Sequence, residues 1–187
     1  NFEKYYKPNE FSNMDMFNGN SKYSWTRYKQ SDHFFVFWES GFGNDPSSAS
    51  ISEDLRVDID DLLLKAEQFF TTNVEKVKMA TIGSNKSYLD KYKLQIYLIY
   101  SNDWVATGAG YDNVIGALWV TPSTCHPVGS VIAHEIGHTF QYQVYCDQIL
   151  TGETKEYEFK SGYRYGYEGS NGGNGFWEQT AQWQSFL

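Results

Sequence analysis

The chain has 187 residues, of which 41% are hydrophobic and 20% charged, a balance that suits one globular domain with a substantial core. Its net charge of -8 and its lack of any Lys and Arg cluster argue against a nucleic-acid or anionic-membrane partner. Its longest apolar run, "DLLLKAEQFF", is too short to span a bilayer, and its polar N-terminal segment has no signal-peptide core.

In the first half of the chain, the sequence predicts one strand and one long helix. Segment Asp32–Ser40 is apolar and predicts a buried strand, and the Gly-, Pro- and Ser-rich residues after it predict a loop. Ser50 and Glu53 have the S-x-x-E spacing of a capping box, which marks the start of a helix. An amphipathic helix is predicted within residues 57–80, because apolar side chains recur there at spacings of three and four: Ile59, Leu62, Leu63, Ala66, Phe69, Phe70 and Val74.

The second half predicts further strands and two further helices, with no repeat and no internal linker. The predicted segments are strands at Lys93–Ser101, Gly116–Pro122 and Glu156–Lys160, and helices at Val128–Val144 and Phe176–Leu187. Residues 102–116 carry several glycines and predict a loop. These elements indicate a single α+β domain over residues 1–187. Because the last helix stops without a capping signal, we expect the domain to be incomplete at its C-terminus.

The two cysteines, Cys125 and Cys146, lie on either side of the helix predicted at Val128–Val144. At about 1.5 Å rise per residue, that helix would hold them roughly 25 Å apart. A disulfide needs Cα atoms within about 7 Å of each other. The sequence therefore predicts two free thiols.

The segment "VIAHEIGHTFQY", residues 131–142, contains the pattern H-E-x-x-H at His134, Glu135 and His138. On a helix, residues four apart are offset by only about 40°, so both histidines can bind one ion. Glu135 is turned by about 100° from His134, where it can reach water on a metal without binding the metal. The alternative is an ordinary helix whose histidines face solvent or pair with acids. The apolar flanks favour a largely buried helix with a zinc site.

Zinc needs a third protein ligand, which this segment does not contain. The metzincin extension, a Gly and a third His, is absent from the following residues "TFQYQVYCD". A site with two histidines and one glutamate needs a later acid, and the candidates are Glu153, Glu156, Glu158, Glu168 and Glu178. Glu178 is favoured because it begins the last predicted helix among apolar neighbours, where a charge needs a partner. The alternative role for Glu178 is that of a first-turn acid stabilised by the helix dipole.

Two segments together, "AHEIGHTFQYQ" and "GFWEQTAQW", resemble the gluzincin zinc metallopeptidases. More narrowly, they resemble a poorly characterised set of secreted gluzincin-like proteins from gut-type bacteria. "GALWVTP" and "LLLKAEQFFTTNVEKV" also look like that set, so the resemblance covers residues 59–187. It implies a zincin-like α+β fold, in which a small mixed sheet packs on the H-E-x-x-H helix and on a second helix that carries the glutamate.

The resemblance also implies a function, the zinc-dependent hydrolysis of peptide bonds by a metalloendopeptidase. One Zn²⁺ ion would be held by His134, His138 and Glu178, with the fourth position left to water. Glu135 would activate that zinc-bound water and pass its proton to the leaving amine. The substrate would be a protein, peptide or glycoprotein. The protein would be secreted, periplasmic or attached to the bacterial cell surface, with its signal peptide absent from this chain.

Three further features follow from the same resemblance. In gluzincins an acid four residues after the glutamate ligand often bonds the outer nitrogen of a zinc histidine, and here Gln182 stands in its place. Segment Gly116–Pro122 resembles the edge strand beside which an extended substrate pairs, although it also fits an ordinary core strand. The donor to the oxyanion would be a tyrosine of "SGYRYGYEG", that is Tyr163, Tyr165 or Tyr167, or a residue beyond the chain.

Two other functions compete with hydrolysis. The first is a non-catalytic module on a peptidase-like scaffold that binds glycan or protein, which the aromatic content of 18% and Gln182 would suit. The second is a structural site, closed by a fourth ligand such as Asp147 or Cys125 or lacking zinc altogether. The aromatic content equally suits an aromatic core.

Overall fold

The computed structural model describes residues 2–155 and 174–187, which form a mixed five-stranded sheet and three α-helices, two of them packed on the sheet and the third packed on the second helix. The strands are β1 (Tyr28–Gln30), β2 (Phe34–Trp38), β3 (Leu94–Leu98), β4 (Ala106–Tyr111) and β5 (Ile115–Val120). The helices are α1 (Ile59–Thr71), α2 (Ser130–Leu150) and α3 (Asn174–Gln184), and a π-helical turn at Thr72–Lys76 continues α1.

The sheet has the strand order β1-β2-β3-β5-β4. β2, β3 and β5 run parallel to one another, while β1 and β4 are antiparallel to their neighbours and, within the described residues, form the two edges. Every residue of β2 and of β3 is buried, as expected for parallel strands that are covered on both faces. β5 therefore lies inside the sheet, which confirms the alternative of an ordinary core strand, and the edge-strand role that the resemblance implied is wrong. The edge beside it is β4.

Different layers cover the two faces of the sheet. On one face α1 and α2 meet through the rings of Phe70 and Phe140, whose centroids are 5.5 Å apart. On the other face the N-terminal residues supply aromatic rings, such as Tyr5 against Phe35 and Phe11 against Tyr97. Much of the high aromatic content thus lies in the core, as one of the two sequence interpretations proposed.

Most elements predicted from the sequence are present, but two predictions are wrong. The predicted loop at residues 102–116 contains β4, which pairs with β5 from Ala106 to Tyr111. The predicted capping box does not start α1. Asp58 does, because its side chain accepts hydrogen bonds from the backbone N–H groups of Asp60 and Asp61. The strand predicted at Glu156–Lys160 lies outside the described residues.

Three side chains of α2 attach this helix to the β4–β5 hairpin by accepting backbone N–H groups. Glu135 Oε2 accepts from Gly108 at 2.7 Å, Tyr142 Oη from Asn113 at 2.9 Å, and Gln143 Oε1 from Gly116 at 2.9 Å. The two backbones approach so closely that a Cβ atom on Gly108 would lie 2.0 Å from the carbonyl oxygen of Glu135. A residue without a side chain is therefore needed at this point of β4.

Two further predictions concern the cysteines and membrane spans. Cys125 and Cys146 are both free and buried, as predicted. Cys146 belongs to α2, whereas Cys125 precedes it. Among the described residues, no helix has the length and apolar character that a membrane crossing requires.

Candidate metal centre

The two histidines of the H-E-x-x-H segment project from one face of α2, as the helical spacing predicts. Their ring centroids are 4.6 Å apart, and the ring planes are nearly perpendicular. The side chain of His134 is 16% exposed and that of His138 only 6%. His134 is therefore partly exposed to solvent, whereas His138 is buried in the protein interior.

α3 brings Glu178 to these histidines. Its Oε2 atom lies 2.9 Å from His134 Nε2 and 3.2 Å from His138 Nε2. The three ligand atoms all lie within 4.8 Å of one another. Because the Glu178 side chain is 56% exposed, its expected burial among apolar residues is wrong. Glu178 is therefore a candidate ligand because it lies close to two imidazoles, and not because it is buried.

A close contact between the two helices makes this convergence possible. Gly137 lies between the histidines, and a Cβ atom placed on it would be 3.2 Å from Ala181 Cα. Gln184, further along α3, donates from Nε2 to Asn73 Oδ1 at 2.8 Å, which links α3 to the turn after α1. Ala181 is fully buried in this contact, whereas Trp183 is 55% exposed.

The outer nitrogens of both histidines face side-chain amides. His134 Nδ1 lies 3.1 Å from Gln182 Oε1, and His138 Nδ1 lies 2.7 Å from Gln141 Oε1. An amide oxygen can only accept a hydrogen bond, so these contacts place the proton on Nδ1 and leave Nε2 for a metal. Burial lowers the pKa of His138, although Gln141 and Glu178 oppose this, and the neutral imidazole is the form that binds metal.

Glu135 turns away from the three ligands toward β4. Its Oε2 atom accepts the backbone N–H of Gly108, and the residue is 8% exposed. Burial raises the pKa of Glu135 to about 7, although His134 and the Gly108 N–H partly counteract it. A carboxylate with this pKa can both accept and release a proton near neutral pH.

The donor set and its spacing fit a tetrahedral zinc ion. Zinc–ligand distances of about 2.1 Å would separate two ligand atoms at the tetrahedral angle by about 3.4 Å. The observed separations between Glu178 Oε2 and the two Nε2 atoms are 2.9 and 3.2 Å, slightly shorter than that value. All three ligand atoms lie within 4.8 Å of one another, so side-chain rotations that bring each separation to about 3.4 Å would accommodate the ion. His134, His138 and Glu178 are thus the residues that could hold it.

The other residues considered from the sequence lie elsewhere. Glu153 is exposed after α2, where its carboxylate accepts the hydroxyl of Thr151. Asp147 accepts from Tyr88 N and Gln143 Nε2, and Cys125 precedes α2, so within the described ranges neither joins the three ligands. Several named residues lie outside the described residues: Glu156, Glu158, Glu168, Tyr163, Tyr165 and Tyr167.

Two groups that contact the site were not identified from the sequence. Gln141 follows His138 by three residues, and helical spacing alone could have indicated it. The backbone N–H of Gly108 could not have been found in this way, because residues 102–116 predict a loop. Both groups hold a site residue in place.

Comparisons with known proteins give one family and no named function. Residues 1–187 match DUF6055, which is described as a family of unknown function. No significant match was found among curated proteins or among solved structures. The chemistry of the described residues, together with the resemblance of the two metal segments, is therefore the basis on which a function can be assigned.

Proposed function

We propose that this chain, which belongs to the DUF6055 family, is a zinc-dependent peptide hydrolase of the gluzincin type. One observation carries the proposal. Two helices that are distant in sequence bring three potential ligand atoms within 4.8 Å of one another, those of His134, His138 and Glu178. This is the set of two imidazoles and one carboxylate that leaves a zinc position open for catalysis. The H-E-x-x-H motif places only the two histidines, so the approach of Glu178 to both of them is an additional observation.

The architecture supports a zincin-like fold as part of the same proposal. A mixed sheet with an antiparallel edge strand, β4, packs on α2, and α3 adds the glutamate ligand. Because β4 and not β5 lies at the edge, β4 is the strand beside which an extended peptide would pair. The proposed substrates are accordingly proteins, peptides or glycoproteins. We infer an exported protein from the resemblance of the metal segments.

In this mechanism each residue has a separate task. Zinc, when held by His134, His138 and Glu178, supplies a Lewis acid that acidifies water and polarises a carbonyl group. Glu135 takes a proton from the attacking water and later gives it to the leaving amine. The backbone N–H of Gly108 holds this carboxylate in place on the β4 side of α2.

Replacing Glu135 by Gln tests the proposal. The parent protein should bind about one zinc ion per chain and cleave members of a peptide library. Glu135→Gln should keep the zinc, because Glu135 is not a ligand, and lose about 100-fold or more of the turnover. The amide can still accept the Gly108 N–H, so the fold should be retained.

Zinc content and turnover are measured on the same preparations. Equal turnover by parent and variant would exclude Glu135 as the base. A parent that binds glycans or proteins on arrays without cleaving any peptide would favour the binding module. A parent without zinc would exclude the metal centre itself.

A further inference from the structure

We propose that Gln141 is a positioning residue of the metal centre, which directs His138 Nε2 to the shared ligand position and ties the His138 ring to the main chain of α3. This inference rests on the zinc site proposed above. Gln141 lies one helical turn after His138 on α2, and it is completely buried. Its amide touches both of the helices that form the site.

The contacts on α3 determine how the Gln141 amide is oriented. Its Nε2 atom lies 3.0 Å from the carbonyl oxygen of Trp177 and 2.6 Å from Thr180 Oγ1. A carbonyl oxygen can only accept, so the NH₂ group must face Trp177. The Thr180 hydroxyl itself donates to the same carbonyl, which leaves its oxygen to accept from Gln141. The amide oxygen of Gln141 therefore has to face the other way.

That orientation fixes the state of His138. Gln141 Oε1 lies 2.7 Å from His138 Nδ1, so Nδ1 must carry a hydrogen. Nε2, on the opposite side of the ring, is then the nitrogen that faces Glu178. The ring cannot easily rotate, because it stacks on Trp177 with centroids 5.2 Å apart and planes inclined by 15°. The carbonyl oxygen of Trp177 on α3 thus orients the Gln141 amide, and the Gln141 amide in turn places the hydrogen of His138 on Nδ1.

The partner of the other histidine has a different setting. Gln182 belongs to α3 and is exposed, and it faces His134 Nδ1 at a longer distance of 3.1 Å. Water can replace an exposed acceptor at little cost, whereas a buried donor that loses its acceptor stays unsatisfied. Gln141 should therefore have the larger effect on metal binding, even though Gln182 is the position that the gluzincin resemblance points to.

Three variants distinguish positioning from simple helix packing. Gln141→Met keeps the length of the side chain and removes all of its hydrogen bonds. Gln141→Glu keeps an acceptor for His138 Nδ1 but loses the donor to Trp177. Thr180→Val is the matched control, because it removes a contact of Gln141 on α3 and leaves His138 untouched. Each is compared with the parent in zinc affinity, by chelator competition, and in melting temperature.

Gln141→Met should weaken zinc binding by about 10- to 100-fold, the usual effect of removing a partner of a metal-bound histidine. Gln141→Glu should recover most of that loss, and Thr180→Val should stay within about threefold of the parent, since neither removes the acceptor facing Nδ1. Thr180→Val should nevertheless melt at a lower temperature. Equal zinc affinity in Gln141→Met and parent, or an equal loss in Thr180→Val, would overturn the proposal.

Nitrogen-15 NMR gives a second readout that does not need zinc, in a metal-free Glu178→Ala background that removes the carboxylate facing His138 Nε2. In that background the parent Gln141 should show His138 with its hydrogen on Nδ1 alone, and Gln141→Met should show a mixture of the two neutral tautomers. Gln141→Glu should resemble the parent. A mixture already present in the parent would contradict the role of Gln141. If the parent bound no zinc, the proposed function would fail while this spectrum still decided the inference about Gln141.

Discussion

The two contacts that α2 makes, with the β4–β5 hairpin on one side and with α3 on the other, differ in how firmly they are built. Toward the hairpin, three side chains of α2 accept backbone N–H groups, and glycines allow the backbones to touch. Toward α3, a Cβ atom on Gly137 would lie 3.2 Å from Ala181 Cα and 2.9 Å from Gln184 Oε1, a looser approach than the 2.0 Å contact at Gly108. The hairpin side is therefore rigid, and the α3 side can adjust.

This difference divides the proposed metal centre into two halves. His134, His138 and Glu135 stand on a helix that is fixed to the sheet. Glu178 arrives on α3 with a side chain that is more than half exposed. The α2 residues are preformed, whereas Glu178 on α3 can adjust. Because an ion stabilises only the state in which all three ligands meet, we expect a bound ion to hold α3 in place.

The largest expected effect on stability comes from Gly108→Ala on the hairpin side of α2, and Gly137→Ala on the α3 side is the variant with which it is compared. In Gly108→Ala the new Cβ would lie 2.0 Å from the Glu135 carbonyl oxygen, and neither backbone can move away cheaply. We expect a loss of about 3 kcal/mol in the free energy of unfolding. In Gly137→Ala the methyl group meets Gln184 Oε1 at 2.9 Å and Ala181 Cα at 3.2 Å, overlaps that a displacement of α3 by a few tenths of an ångström would relieve. The gain in helix propensity of about 1 kcal/mol should leave this variant within about 1 kcal/mol of the parent.

Urea unfolding of both variants without metal measures this contrast directly. The test is whether Gly108→Ala loses more free energy of unfolding than Gly137→Ala, and the absolute size of either loss does not matter. If Gly137→Ala were as destabilising as Gly108→Ala, the α3 contact would be as rigid as the hairpin contact, and the division of the site into two halves would be wrong.

Removing zinc should have the next largest effect, concentrated in α3. Without metal, the amides of residues 177–184 should exchange with deuterium faster than those of β3, because an adjustable contact opens at lower free energy. Free zinc at about 100 times its dissociation constant should slow exchange in α3 by about 100-fold, equivalent to about 2.7 kcal/mol.

Glu178→Ala is the control for this experiment. It removes the only ligand that α3 provides within the described residues, so zinc should no longer slow exchange in that helix. Exchange in β3 serves as the internal reference. Amides in α3 that are as protected as β3 before zinc is added would show that the second half of the site is already fixed.

The same contrast explains which parts of the molecule could be predicted from the sequence. α2 and the placement of His134 and His138 depend on a helical period that short-range sequence determines. Glu178 followed from the chemistry of zinc, and the structure brings it to the histidines. Its exposure could not be predicted, because exposure depends on how α3 docks against a helix that is distant in sequence.

β4 was missed for a related reason. Its glycines lower the intrinsic tendency to form a strand, yet Gly108 is required because α2 passes directly against it. The interior position of β5 was equally hidden, since strand order is a long-range property. Gln141 lay within the quoted motif, but its role depends on the main-chain carbonyl of Trp177 from another helix.

The smallest expected effect concerns Asp147, which supports the firm side of α2. Its Oδ1 atom accepts from Tyr88 N and Gln143 Nε2, and Gln143 in turn holds Gly116. Burial raises the pKa of Asp147, while hydrogen bonds from Ser87, Gln143 and Tyr88 only partly oppose this. The folded protein therefore retains this proton more strongly than the unfolded chain, and stability declines as pH rises from about 3.9 through the raised pKa.

Asp147→Asn should remove that decline while keeping the attachment, because the amide oxygen accepts from Tyr88 N and Gln143 Nε2, and the amide NH₂ can donate to the Ser87 hydroxyl. Above the raised pKa the variant should be more stable than the parent, and the difference should shrink as the pH is lowered toward 4. Urea unfolding between pH 4 and 8 measures it, with Gln143→Met as the control that breaks the link to Gly116. If Asp147→Asn destabilised the protein at every pH, the carboxylate charge would be holding α2 to the hairpin, and the rigidity of that side would depend on charge and not on close backbone contact.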